Sequence, residues 1–253
     1  MRIFIAFCFL FMLSVHNLSA ITADEVLQGV ENRYVGKTSK STTEMKLIDS
    51  SGNERKRDLF IYRRKIDNDN KDNFIHFTSP SDMKGTTYLV NEKNREKSKW
   101  IYLSAFKNIR KIVASDFGTS FVSSDFTYED MDDIHASDYT CTNLTEEKLD
   151  GEDVYSIECV KKTSDTAYSR SILKVSKEKM IILKGMFFDK KDTEKQVKEA
   201  TAKSLEKIQE IWTPKQVTMR DLRKNTMTVL EIKKAEYDLT LEADIFTERN
   251  MKK

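Results

Sequence analysis

Few residues of this chain could do chemistry. Of its three cysteines and three histidines, Cys8 and His16 fall within the first twenty residues, leaving Cys141, Cys159, His76 and His135. No serine stands in a Gly-x-Ser-x-Gly elbow, and no Ser-His-Asp or Cys-His arrangement is evident, so nucleophilic hydrolysis is not indicated. His76 lies in an alternating apolar run, Phe74–Thr78, and reads as a structural histidine, while His135 lies in polar sequence. Gly36-Lys37-Thr38 has the tail of a phosphate loop, but the glycine required five residues earlier is Glu31. Asp116-Phe117-Gly118 matches a kinase triplet without its companion motifs. Asp82, Asp116, Asp125, Glu129, Asp130, Asp132 and Asp133 could offer oxygens to a cation, yet their spacing fits no known loop and reads as a solvated acidic face. The expectation is a non-enzyme with no cofactor and no metal.

The cysteines suit a structural use. Leu149-Asp150-Gly151 has the make-up of a tight hairpin loop, with Gly151 left-handed and Lys148 paired to Glu152. Counting back along both strands puts Cys141 opposite Cys159, within disulfide reach for antiparallel partners.

A disulfide requires export, and the N-terminus provides for it. Arg2, the apolar run Ile3–Leu13 and Leu18-Ser19-Ala20, with a small residue at the cleavage position, compose a secretory signal, with cleavage expected after Ala20. The run is too short to span a bilayer, and Cys8 lacks the flanking residues that lipid attachment needs. Residues 21–253 then form one domain. Basic and acidic residues nearly cancel, 43 against 41, which disfavours nucleic acid as a partner. Only two prolines and seven glycines argue against long linkers.

The elements follow from periodicity. Thr22 to Glu25 is a capping box, and Val26, Leu27, Val30 and Tyr34 share one face of a helix ending near Gly36. Period-two runs begin at Thr43–Leu47 and continue through Leu59–Arg64, Phe74–Thr78, Thr86–Val90, Trp100–Phe106 and Ile109–Val113. They resume at Tyr139–Leu144, Val154–Val160, Tyr168–Val175, Ile181–Phe188, Val217–Leu222 and Thr228–Leu239. About a dozen short strands with turns between them predict a mainly β fold, one antiparallel sheet that is curled or closed. Lys195–Glu210 stands apart: Val197, Thr201, Leu205 and Ile208 fall at helical spacing. Taking charged positions as outward assigns Met45, Leu47, Trp100, Tyr102, Tyr155, Ile157, Leu173, Leu183 and Phe187 to the inner face. Ser115–Asp133, with Phe117, Phe121, Phe126 and Tyr128 on a polar backbone, reads as a cover for that face.

The run Ser81-Asp82-Met83-Lys84-Gly85-Thr86-Thr87-Tyr88-Leu89-Val90 is followed by Trp100-Ile101-Tyr102-Leu103 and Ile109-Arg110-Lys111-Ile112. Then come Ser120-Phe121, Ser124 to Met131, Trp212-Thr213-Pro214, Val217-Thr218-Met219 and Ile245-Phe246-Thr247. In this order they resemble the outer-membrane lipoprotein-sorting, LolA-like proteins of the branch associated with RND-type exporters. The resemblance implies a strongly curved half-barrel whose concave face is covered by helices and loops. It implies a periplasmic, monomeric carrier whose cavity binds acyl chains of lipids or lipoproteins for transfer toward the outer membrane. Its partners would be that cargo and an inner-membrane RND-type exporter or an outer-membrane acceptor. A sensing adaptor of such an exporter is the alternative. Tyr88 joins the expected lining, Arg110 is a candidate polar group at the mouth, and Lys195–Glu210 would be strand, against its local pattern.

Overall fold

The computed structural model describes residues 20–253. The expected export signal and its cleavage lie outside them. The described chain opens with one α-helix, α1 (Ala23–Asn32), followed by β1 (Thr38–Ile48), β2 (Glu54–Lys65), β3 (Lys71–Ser79), β4 (Thr87–Lys93), β5 (Glu96–Leu103) and β6 (Asn108–Ile112). After a 26-residue crossing, 113–138, come β7 (Tyr139–Leu149), β8 (Glu152–Lys161), β9 (Ser171–Ser176) and β10 (Ile182–Phe188). β11 (Gln196–Ile208), β12 (Ile211–Asp221) and β13 (Thr226–Tyr237) complete the set.

All 13 strands form one antiparallel sheet in the order β6-β5-β4-β3-β2-β1-β13-β12-β11-β10-β9-β8-β7. The sheet is two meanders joined where the first strand pairs with the last. It stays open, with β6 and β7 as its edges. Strand twist curls a sheet of this width, and 113–138 must run from one edge to the other across the hollow.

α1 lies on the concave side near β7–β9. Thr22 and Glu25 cap it reciprocally, at 2.8 and 3.2 Å. It ends at Asn32, short of Gly36. Val26 and Leu27 are buried with Cys141, Ile157, Cys159, Leu173 and Val175. On the opposite, convex side the C-terminal segment lays Phe246 and Met251 over Phe74 and Leu89.

β11 contradicts the local helical pattern. Ala200 pairs with Gly185 on one side and with Met219 on the other. Helix propensity separates ordinary residues by at most about 0.7 kcal/mol each. Two neighbouring strands offering ladders of hydrogen bonds outweigh it.

Cys141 and Cys159 are bonded, directly cross-strand, with Cα atoms 4.2 Å apart. The route differs from the sequence count. Asp150 and Gly151, at φ 51° and 88°, form a two-residue loop, and Leu149 rather than Lys148 pairs with Glu152. That slip of one is undone by a bulge between Thr142 and Thr145, where Asn143 adopts φ 52°. Removing both thiols as Cys141→Ala/Cys159→Ala is expected to cost about 3 kcal/mol, the chain-entropy value for a loop this long. A urea titration checks it, and an unchanged midpoint would show that the bond adds nothing to folding.

Candidate functional site: a covered hollow

The crossing 113–138 is fastened to the sheet by aromatics and by buried charge. Phe121, fully buried, meets Tyr88 edge-on at 5.1 Å and Tyr128 at 5.6 Å. Beside it Val122 sits at φ 43°, a conformation costly for a β-branched residue. Its carbonyl accepts a hydrogen bond from Arg57, itself buried beneath the cover.

Asp125, Glu129, Asp130 and Asp132 are not a solvated face, which corrects the sequence reading for these four, whereas Asp82 and Asp133 are exposed. Asp125 accepts from Thr226 and Thr228 on β13. Glu129 pairs with Lys161 at 2.8 Å. Asp130 accepts from the Tyr168 hydroxyl at 2.9 Å and lies 3.7 Å from Lys198. Asp132 holds Lys99, a lysine only 1% exposed, at 2.6 Å. Burial lowers the pKa of Lys99 and of Lys198, opposed by Asp132 and Asp130 respectively. The sheet supplies lysines from its concave face and the cover supplies the matching acids.

His135, also 1% exposed, bridges two elements. Its Nδ1 is 2.9 Å from Glu31 on α1 and its Nε2 is 2.6 Å from Glu92 on β4. Carboxylates at both ring nitrogens favour the imidazolium. The Glu92 contact raises the His135 pKa, with burial opposing and Glu31 assisting. A raised folded pKa gives stability that is full below the unfolded value of about 6.5 and is lost as pH rises through the folded one. The urea midpoint is therefore expected to fall on going from about pH 6 into the alkaline range, and His135→Gln to remove that component. A wild-type midpoint flat with pH would show that the bridge carries no charge.

Beneath the cover lie two contiguous cavities. One, of about 320 Å³, is lined by Leu27, Phe126, Leu173, Phe187, Ala200 and Met219 among others. The other, of about 500 Å³, extends under β1–β3 and β12–β13 toward the end of α1. Asp132, Asp133, Ile134, Ile182, Pro214 and Val217 border both. Apolar hollows of this size are suited to small amphiphiles.

A family model described as an uncharacterized protein matches residues 69–253. No curated protein matches the sequence. The fold is similar to that of an outer-membrane lipoprotein-sorting protein domain from Vibrio parahaemolyticus. That likeness has 23% identity, covers 91% of this chain and 98% of that one, and has a TM-score of 0.85. A DUF1329 family protein from Desulfovibrio piger is 28% identical over 90% of this chain and 97% of that one, with a TM-score of 0.83. A LolA superfamily protein from Nitrosomonas europaea is 18% identical over 91% and 100%, with a TM-score of 0.69. The chain belongs to the family of that model, and its fold is LolA-like.

In this LolA-like hollow the sequence-expected lining is dispersed. Leu173 and Phe187 border the smaller cavity. Met45, Leu47 and Tyr88 are buried in the core under the cover and border neither cavity. Tyr155 and Ile157 pack in the α1 cluster. Leu183 joins Val154 and Ile181 in a separate cluster.

Trp100 and Tyr102 must be reassigned: they pack on the convex side with Phe74, Leu89 and the C-terminal residues. The alternation along β5 was legible, but the assignment of its faces inverts. Lys97 and Lys99 point inward because Asp132 of the cover pairs with them. Arg110 is also corrected. It is exposed on edge strand β6, 3.6 Å from Asp116, and borders neither cavity.

Phe121, Phe126 and Tyr128 are buried in the cover, and Phe117 packs beside them with Lys99 Nζ 3.8 Å from its ring centre. Sequence reasoning missed the small residues that leave the space. Gly185 and Ala200 face one another across β10 and β11, and Ala202 and Val217 across β11 and β12. Their signal, small side chains at alternate positions, was obscured by the helical spacing around them. Among the described residues no helix is long and apolar enough to cross a membrane.

Proposed function

We propose that this protein is a periplasmic carrier that holds acyl chains of lipids or lipoproteins in the hollow and moves them toward the outer membrane without covalent chemistry. The observation that carries the reading is the pair of contiguous cavities between the sheet and its cover, bordered by Leu173, Phe187, Val217 and Met219. Apolar burial supplies the affinity, at about 0.8 kcal/mol per methylene. Loading or release requires the cover to part from the sheet, and its attachment through side chains rather than as a strand of the ladder suits a part that moves. The LolA-like fold and the cross-strand disulfide agree with an exported carrier.

Lipid extraction and mass spectrometry of protein purified from its native envelope test the reading. Acyl lipid near one equivalent, passed on to acceptor vesicles, is the expected result. Protein that is lipid-free from the envelope and that takes up no lipid from vesicles would overturn it.

A further inference from the structure

The mouth of the larger cavity is cationic, and the sheet leads up to it by a chemical gradient. Along the concave face of β2 the residues run Leu59, Ile61, Arg63, Lys65, and along β3 they run Phe77, Ile75, Asn73, Lys71. Both strands pass from apolar to cationic toward the same end. Lys65 and Lys71 are directly cross-strand, an arrangement of like charges that destabilises a sheet. Arg33, just past α1, and Lys37, at the entry to β1, complete the rim.

None of these five is ion-paired in the described residues, although neighbouring Arg64 is held by Asp72 at 2.6 Å. Arg33 Nη1 donates to the Trp212 carbonyl at 3.0 Å. Burial lowers its pKa, Tyr237 opposes, and the charge of Arg63 lowers it further. Among the cavity's carboxylates, Glu31, Asp72 and Asp132 are engaged with His135, Arg64 and Lys99. Asp133, exposed at the border of the hollow, has no ion pair; its pKa is lowered, the desolvation of its surroundings being outweighed by the charges of Arg63, Lys71, Lys97 and His135. Five unpaired cations thus surround one unpaired carboxylate.

We infer that this cavity binds an acyl lipid with an anionic head group, its chains against Ile61, Ile134, Ile182, Val217 and Leu230 and its phosphate among Arg33, Arg63 and Lys71. The head group supplies the counter-charge that the rim lacks, and guanidinium pairs suit a phosphate. Tyr34, Val35 and Ile66 stand 60%, 39% and 63% exposed beside Lys37 and Lys65. Exposed apolar side chains among lysines suit contact with an anionic leaflet, which favours a membrane lipid over free phosphate.

The inference rests on the acyl-carrier reading, and one competition separates the two. The wild-type protein is incubated with vesicles of equimolar phosphatidylglycerol and phosphatidylcholine carrying the same chains, then recovered and its lipid analysed. Phosphatidylglycerol is expected in about tenfold excess, the effect of one good charge-assisted contact. Arg33→Gln/Arg63→Gln/Lys71→Gln is expected to lose that preference, its phosphatidylglycerol uptake falling to the level of phosphatidylcholine. Uptake without head-group preference in the wild type overturns the inference and leaves the carrier standing. No uptake of either lipid overturns both. Inorganic phosphate alone is expected to leave the thermal midpoint unmoved, and a shift as large as that given by the lipid would make this a phosphate site instead.

Discussion

Ala200→Trp is expected to abolish acyl-lipid uptake in a protein that still folds. Ala200 stands on the concave face of β11, opposite Gly185 on β10, and borders the cavity of about 320 Å³. An indole there would enter open space rather than a packed core, so the strand pairing is left in place. Excluding even four methylenes removes about 3 kcal/mol of burial, more than a hundredfold in affinity at about 1.4 kcal/mol per factor of ten. Titration with a fluorescent fatty-acyl probe, alongside circular dichroism to verify the fold, is the measurement. Undiminished binding by folded A200W would place the acyl site elsewhere on the protein.

The largest effect on stability is expected from Asp130→Ala. Its carboxylate accepts from the Tyr168 hydroxyl at 2.9 Å and from the Thr127 amide at 2.7 Å, and it faces Lys198 at 3.7 Å. Burial raises the Asp130 pKa, and the Lys198 charge with the Thr127 and Tyr168 hydrogen bonds oppose this. Truncation would strand Lys198, only 4% exposed, without its countercharge. Breaking a buried pair from one side costs about 3–5 kcal/mol. Adding Lys198→Met should restore part of that loss, because the double variant buries no lone charge. Urea unfolding of both proteins decides the matter. A loss under about 1 kcal/mol in the single variant would mean that this pair does not fasten the cover.

The same buried pairs explain where sequence reasoning inverted a face. Along β5 the alternation of Trp100 and Tyr102 with Lys99 and Ile101 is plain, and alternation alone is symmetric. The rule that lysines face water broke the tie wrongly, because Lys99 has a partner in Asp132, 33 residues later, that no local pattern reveals. The acidic residues Glu129, Asp130 and Asp132 failed for the converse reason, since their cationic partners lie on β8, β11 and β5. The disulfide survived an error in the hairpin because a bulge restored the register, and a bulge at Asn143 has no signature as strong as a glycine turn.

By itself the sequence determined the capped helix, the alternating strands that make a broad antiparallel sheet, the cysteine partnership and the LolA-like resemblance. All are set by contacts near in sequence or by motif order. Only the tertiary structure decided which face is concave and where space remains; that Gln196–Ile208 is strand followed from the resemblance and not from the local pattern. Those depend on what packs from elsewhere in the chain: two flanking strands outweigh a helical preference, and a crossing segment brings the charges that draw lysines inward. A void is a difference between enclosed volume and filled volume, and it comes into being only when the sheet has curled and its cover is in place.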